Sequence, residues 1–429
     1  MKQNHHNTNE NLKQLTPETL IFGVDISKNF HVARAIDFRG MELDKTHSFS
    51  NHILGFREFH QQIRHLQNAY NKTHVIVGVE PTGPYGYALI QFLRSHDIQV
   101  VLTLGYQVAK AKELDDNTPS KNDYKDALTI AGLVRDGRFR KLREFEPSIY
   151  ELREAMSLHR QLTKDITRTK CRIDNWLCQY FPEFPLVFKD WTKKTAYATL
   201  SAFPMPVDIC RHSAEEIVRV WRSSGVIKGV GLKKASQLKL QARHSIGLVR
   251  ANELAAVHLR ALLTQYELYL SQVEELWTLI DQIVKSIPLF HILSQIPAMG
   301  KVAACGIVAE LGDVSAFSHP KQLSRLAGLS LKESSSGGKR GVSEITKRGR
   351  PHLRHSLYLA VIGLLKSRTG AFWVLHQYHT KHKETPLKPM QSVIALCNKL
   401  LRVIYGMAIS GQPYDPELVL SGIATQEAA

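Results

Sequence analysis

Three strand-like segments in succession, before any helix, open this chain and constrain its fold more than any other feature. Leu20 to Ile26 (LIFGVDI) is an apolar run holding a single acid, and Phe30 to Ile36 follows at strand length. The two should pair as a hairpin, and Asp37-Phe38-Arg39-Gly40 supplies the turn that leads to a third strand near Met41 to Phe49. Helical spacing then runs from Ile53 to Tyr70 through Ile53, Phe56, Phe59, Ile63 and Leu66. A buried strand (His74 to Glu80, HVIVGVE), a helix (Tyr85 to Ser95), a second buried strand (Ile98 to Leu104) and a helix (Asp123 to Val134) complete the series. Doubly wound sheets alternate strand and helix from the start, so the opening meander excludes them.

The order βββαβαβα is the RNase H arrangement. It gives four acids a meaning. Asp25 ends the first strand, Glu80 ends a later one, and Asp123 and Asp126 stand three apart on one face of the last helix. In this topology the two strands are neighbours and the helix packs across them, so the four carboxylates can converge. Clustered without a cation they would repel one another. Hard oxygen donors, with no His or Cys among them, point to Mg2+ or Mn2+, which as a pair about 3.5–4 Å apart can drive phosphodiester chemistry. A sugar-kinase or actin-like ATPase also opens with strand, acid and hairpin, but places a Gly-containing phosphate loop where this chain has Asp25-Ile26-Ser27-Lys28.

The chain has 429 residues, enough for two or three domains, and 56 Lys and Arg against 39 Asp and Glu give a net charge of +17. That excess implies a polyanionic partner, most simply nucleic acid. A mean hydropathy of −0.20 argues against a membrane protein, and the longest apolar runs, such as Leu357 to Leu365, are too short to span a bilayer. Five Cys without a CxxC pair fit a reducing cytosol. Residues 1–17 read as a disordered lead-in and 18–147 as the RNase H-like domain.

Residues 148–287 carry two heptad seams. One runs through Leu152, His159, Ile166, Ile173 and Tyr180 with Ala155, Leu162, Thr169 and Trp176, the other through Leu259, Leu262, Tyr266, Tyr269, Val273, Leu276, Ile280 and Ile283. They predict an antiparallel coiled coil, with a helical insertion at about 181–250. Arg160, Lys164, Arg168 and Arg172 recur every four residues on the first helix, a stripe that suits phosphates or simply solvent.

Residues 288–415 form a mainly helical C-terminal domain, with 416–429 as a tail. Leu293 to Leu311 reads as a helix-hairpin-helix, and Lys321 to Arg354 holds nine Lys and Arg against Glu333 and Glu344. Within that segment Ser334-Ser335-Ser336-Gly337-Gly338-Lys339-Arg340 offers hydroxyls, a free backbone and flanking cations, Lys347 and Arg348 included. Read from composition alone it is a nucleophile loop or a flexible linker. The fold class is thus multidomain α/β plus α.

GVDISK around Asp25, GVEPTG around Glu80, KNDYKDA around Asp123 and Asp126, and SSSGGKRG followed by ITKRGRPHLR together resemble the IS-one-ten family of insertion-sequence transposases, relatives of the Piv-type DNA invertases. The resemblance runs from about Phe22 to Ile409. It implies a RuvC-like DEDD domain with Asp25, Glu80, Asp123 and Asp126 as catalytic metal ligands, a coiled coil, and a transposase domain with a catalytic serine. That serine falls on Ser336, with Ser335 as the alternative nucleophile. Lys121-Asn122-Asp123 departs from the family's more usual lysine–threonine–aspartate, with both acids kept. Further implications are a structured noncoding bridge RNA as guide, donor and target double-stranded DNA, a serine–DNA intermediate, and a tetramer built as a dimer of dimers in the prokaryotic cytoplasm. Nucleic-acid contacts fall on Arg160, Lys164, Arg168, Arg172, Lys339, Arg340, Lys347, Arg348 and Arg350. The competing reading is a metal-only junction resolvase or nuclease in which water attacks. A non-catalytic nucleic-acid binder is the third.

Overall fold

A mixed six-stranded sheet in the order β3-β2-β1-β4-β5-β6 organises the first of two compact units, residues 1–144. The computed structural model describes residues 8–81, 83–115, 123–143, 145–225, 230–249, 252–332, 335–336, 339–340, 344–382 and 385–427. β1 (Thr19–Asp25) pairs antiparallel with β2 (Phe30–Ile36), which pairs antiparallel with β3 (His47–Ser50). On its other side β1 runs parallel to β4 (His74–Val79), setting Gly23 opposite Gly78 and Val24 opposite Val79. β5 (Gln99–Leu102) is parallel to β4, and a short β6 (Arg140–Lys141) closes the edge antiparallel. This is the RNase H strand order.

Strand parity sorts the two faces. Leu20, Phe22 and Val24 of β1 join Val77 and Val79 of β4 in one core. It is sealed by Phe56, Phe59 and Ile63 of α1 (Ile53–Ala69) and by Leu89 and Leu93 of α2 (Tyr87–Arg94). Ile21 and Ile76, of opposite parity, lie in a second core with Ala131 and Val134 of α4 (Asp123–Arg135). α3 (Gly105–Asp115) precedes α4 and packs on it through Val108, Ile130 and Leu133.

Several expectations shift. The third strand is shorter than read, because only residues 47–50 pair continuously and Glu42 makes an isolated bridge to Ile36. α3 and β6 were not legible in the pattern. The lead-in is not disordered from residue 8 on: a helical turn at 8–12 packs against the unit, and the buried Asn11 amide donates to the carbonyls of Gly137 (2.9 Å) and Phe139 (3.0 Å).

The second unit, residues 145–429, is helical apart from four short strands among its described residues. α5 (Pro147–Tyr180) carries a Pro in its first turn, where a missing N–H costs nothing. Five helices follow: α6 (Phe184–Val187), α7 (Lys194–Ala202), α8 (Pro206–Arg211), α9 (Ala214–Ser223) and α10 (Leu232–Arg243). They share a core with Phe181, Phe184, Trp191 and Trp221. α11 (Asn252–Ile283) then runs back antiparallel along α5. The His159 ring lies 5.1 Å from Trp277, the Lys170 ammonium 5.7 Å over Tyr266, and Trp176 Nε1 donates to the Ala255 carbonyl at 3.0 Å.

α12 (Pro288–Ser294), α13 (Lys301–Leu311), α14 (Pro320–Leu326), α15 (Pro351–Lys366), α16 (Gly370–Lys381), α17 (Pro389–Ser410) and α18 (Pro416–Glu427) complete the chain. α12, a turn at 295–300 and α13 occupy the segment read as a helix-hairpin-helix. The expectation that every apolar run is too short for a bilayer needs correcting, since α17, 22 residues, is long and apolar enough to cross one by length and composition alone. Here one face of α17, with Leu396, Leu400, Leu401 and Ile404, is buried in the unit's core. The residues read as a tail are mostly α18, anchored by the buried Val419.

Candidate active site

The acids of the first unit are positioned by two glycines. Gly23 and Gly78 face each other across β1 and β4, on the side that α4 covers. A methyl at Gly23 would stand 2.0 Å from the Ala127 carbonyl oxygen and 2.4 Å from the Ala131 nitrogen of α4. One at Gly78 would stand 2.4 Å from Val134 Cγ2. At Gly23 the helix backbone therefore lies directly on the strand, in a seat only glycine provides, and at Gly78 the Val134 and Ile130 side chains take the space a Cβ would fill. Two residues beyond each glycine, hence on the same side of its strand, come Asp25 and Glu80. The repeat Gly-Val-acid in both strands was the sequence signal for this seat, and sequence reading used only its acids.

Asp25 ends β1 half-buried. Glu80 follows the last residue of β4, and its Oε1 lies 2.7 Å from where a Cβ on Gly105 would be, at the first residue of α3. A carboxylate there meets the positive end of the helix dipole. Asp126, 8% exposed, is ion-paired with the Lys112 ammonium from the last turn of α3. A buried carboxylate needs such a partner. α3 thus answers one acid at each of its ends, a role absent from the sequence reading. The Asp123 side chain lies outside the described residues. Among those residues no three His, Cys, Asp or Glu are grouped closely enough to hold a metal ion, so Asp25, Glu80 and Asp126 are not assembled into a ligand set by themselves. Their all-oxygen chemistry nonetheless suits a hard divalent cation.

The serine segment lies in the second unit. β7 (Leu331–Lys332) pairs antiparallel with β10 (Glu344–Ile345), and between them β8 (Ser335–Ser336) pairs with β9 (Lys339–Arg340). Ser336 opposes Lys339 and Ser335 opposes Arg340, so only Gly337 and Gly338 separate the inner strands. A two-residue connection of this composition is what a tight hairpin demands. Ser335, Ser336, Lys339 and Arg340 are described in backbone alone; Ser334, Gly337 and Gly338 lie outside the described residues.

The basic residues do not act alike. Thr346, Lys347 and Arg350 donate their amides to Ser330, Gly328 and Leu326, fastening the segment after the hairpin to the chain before it. Lys347 and Arg348 are exposed, as a phosphate contact requires. Arg350 is not a simple surface cation: its guanidinium donates to the Glu310 carbonyl and lies 3.5 Å from the Glu310 carboxylate. Arg354 donates to the carbonyls of Ala327 (2.9 Å) and Lys347 (3.5 Å). On α5, Lys164, Arg168 and Arg172 are exposed, Arg168 with Asp165 at 2.8 Å. Arg160 is half-buried, and burial pulls its pKa below the ordinary arginine value, with Glu310 opposing and Arg153 adding to the fall. It does not continue the outward stripe.

Residues 22–182 match a family described as "Transposase", and residues 290–376 one described as "Transposase IS116/IS110/IS902 family". The "Putative transposase y4pF/y4sB" of Sinorhizobium fredii is 27% identical over 128 residues, 28% of this chain and 32% of that protein, so the match takes in about a third of that relative's length. The "Pilin gene-inverting protein" of Moraxella bovis is 23% identical over 244 residues, 54% of this chain and 74% of that protein. A solved structure, "T. thermophilus RuvC in complex with Holliday junction substrate", is similar over 29% of this chain and 99% of that one, at 15% identity and a TM-score of 0.22.

Proposed function

Since the chain belongs to the IS116/IS110/IS902 family of transposases, we propose that it is a DNA transposase or recombinase that joins and cuts strands through a serine–DNA intermediate. Among its partners are double-stranded donor and target DNA and a structured noncoding RNA that selects the sites, and it works as a tetramer in the cytoplasm. The observation that carries the reading is the glycine seat, which lays the helix bearing Asp123 and Asp126 on the two strands that lead to Asp25 and Glu80. The pilin gene-inverting relative, whose name describes DNA inversion, supports the reaction class.

Asp25, Glu80, Asp123 and Asp126 are the residues that would hold divalent metal, Mg2+ or Mn2+, and bound there such ions lower the cost of charge developing on phosphate oxygens. The protein's own part lies in the hairpin. Ser336 offers its hydroxyl oxygen to phosphorus; a new O–P bond forms, the bond to a deoxyribose oxygen breaks, and the serine proton is given up as the leaving oxygen takes one. Lys339, Arg340, Lys347 and Arg348 supply positive charge around the reacting phosphate. One phosphodiester is exchanged for another, so the broken strand keeps its bond energy until a second hydroxyl displaces the serine.

The test is a junction PCR for excised circles in cells carrying the gene with its native flanks. Circles should fall at least about a thousandfold for Asp25→Asn and for Ser336→Ala, and persist in Ser335→Ala. Circles persisting in Ser336→Ala would move the attack to Ser335 or to water, and circles persisting in Asp25→Asn would remove the acids from the reaction.

A further inference from the structure

Six aromatic residues are exposed among the described residues of the first unit: Phe30, Phe38, Tyr70, Tyr85, Tyr87 and Tyr106. Four of them stand at the end of the sheet that bears the acids. Phe30 opens β2, antiparallel to the β1 end at Asp25, and Tyr85 and Tyr87 follow β4 and Glu80. Tyr106 is the second residue of α3, next to the Gly105 that the Glu80 carboxylate approaches. Exposed rings scattered singly need no explanation. Four around one pair of carboxylates do, because a flat aromatic face beside a site for phosphodiester chemistry is a surface on which a base can lie.

The segments that carry these rings are fastened to one another. The Asn51 side-chain amide donates to the carbonyls of Lys28 and Tyr85, each at 3.2 Å, and the Asn51 N–H donates to the Asn29 carbonyl at 2.8 Å. One residue thus ties the turn before Phe30 to the loop before Tyr87. Gly83, at φ +62°, bends that loop through the left-handed region, and a Cβ there would lie 3.7 Å from the Tyr85 ring. Beside Tyr87 a cleft of about 40 Å3 is lined by the apolar side chains of Ile26, Val79, Pro81 and Ile90, together with Glu80. It is too small for a whole base and has room only for the edge of one. Across the sheet order β2-β1-β4-β5, Phe30 and Tyr106 belong to the outer positions and Asp25 and Glu80 to the inner ones, so rings flank the acids on both sides.

Inside a duplex each base face is already covered by its neighbours, so a free aromatic face selects a base that has left the stack. We propose that this end of the first unit receives unpaired bases of a DNA strand. Tyr87 stacks on a base beside the acids, whose edge enters the apolar cleft, and Phe30 and Tyr106 cover bases to either side. The strand is thereby laid across Asp25 and Glu80 in an unpaired state. Stacking of this kind is indifferent to sequence, since every base has a π face. The choice of DNA rests on the proposed recombinase function, whereas the choice of an unpaired base rests on the rings.

The test is equilibrium binding of the full chain to two DNA probes, a fully paired duplex and the same duplex with a short unpaired run in one strand. EDTA is present, since stacking needs no metal and no strand is then cut. Tyr87→Ala should weaken binding to the interrupted duplex about five- to hundredfold and leave the paired one unchanged, and Tyr87→Phe, which keeps the ring, should bind as the parent does. Tyr87 is 64% exposed, so thermal unfolding of both variants should match the parent. Unchanged affinity in Tyr87→Ala, or an equal loss on both probes, overturns the proposal. A Tyr87→Phe as weak as Tyr87→Ala assigns the effect to the hydroxyl and overturns stacking. A loss seen only with an RNA strand in the unpaired run overturns the choice of DNA. Recombination in Asp25→Asn and Ser336→Ala is read separately, so either conclusion can fail without the other.

Discussion

The two units solve the same problem, bringing a helix unusually close to a neighbour, with opposite chemistry. In the first, α4 lays its backbone directly on Gly23, while at Gly78 the Val134 side chain fills the space. In the second, α13 meets α15 where Gly306 touches a side chain, the Ser356 hydroxyl. Backbone cannot step aside, whereas a side chain has other rotamers. The Gly23 seat is therefore rigid and the Gly306 seat adjustable. The first unit's Glu80 and Asp126 are answered at the two ends of α3, and the second unit's Glu310 by the Arg350 guanidinium.

The largest expected effect breaks the comparison if it fails. Gly23→Ala should cost about 3 kcal/mol or more in denaturant unfolding, since overpacking against backbone leaves no relaxed alternative. Gly306→Ala should cost about 1 kcal/mol, and adding Ser356→Ala should recover part of it. Equal costs would show that the two seats do not differ in kind.

A change of pH comes next. His31 is wholly buried; its ring packs against Phe49 (5.4 Å) and Phe56 (6.2 Å), Nδ1 accepts from the Ser27 amide (3.3 Å), and Nε2 has no hydrogen-bond partner among the described residues. Burial holds its pKa below the ordinary 6.5, with Asn51 opposing. The unfolded chain therefore binds the proton more readily, and the stability His31 lends, full above 6.5, is lost as pH falls from there through its folded pKa. Thermal unfolding should show the first unit losing stability between pH 7 and 5, and His31→Phe should flatten that loss. A first unit whose His31→Phe variant keeps the full acid dependence would remove His31 as its source.

The smallest effect sharpens the account of the acids. Lys112 competes with any cation for Asp126, through a partly exposed pair of the kind worth about 0.2–1 kcal/mol. Lys112→Gln should lower the Mg2+ concentration needed for half-maximal recombination by about two- to fivefold. An unchanged midpoint would mean that the lysine leaves freely.

What could be read from the sequence follows from which interactions are periodic. The period of two in LIFGVDI and HVIVGVE shows both the strands and the side on which Asp25 and Glu80 fall. Heptads likewise show α5 and α11, whose seam residues Leu152, Trp176, Leu259 and Ile280 are buried. α3 has no apolar stripe to betray it, and its pairing of Lys112 with Asp126 depends on tertiary approach. A run of basic residues is equally mute about where each side chain turns. Arg350 and Arg354 are half-buried and satisfy carboxylate and carbonyl oxygens, and Lys347 and Arg348 are exposed. Glu310 drew no attention in an apolar helix, though a lone acid there requires a cation in the fold.

The glycine seat also sets an order of events. Gly23 and Gly78 pair across a long loop, and the helix that covers both comes later still in the chain. Parallel pairing of distant strands is slow, because loop closure must precede the contacts that reward it. On the ribosome the strip stays open to solvent until α4 has emerged, so a chain truncated before residue 135 keeps a sheet face with no cover. The Ser335–Arg340 hairpin closes across two residues and can form at once. Nascent chains would thus acquire the serine hairpin as a local event and the proposed acid site only as a global one, which leaves an incomplete first unit with its acids unassembled.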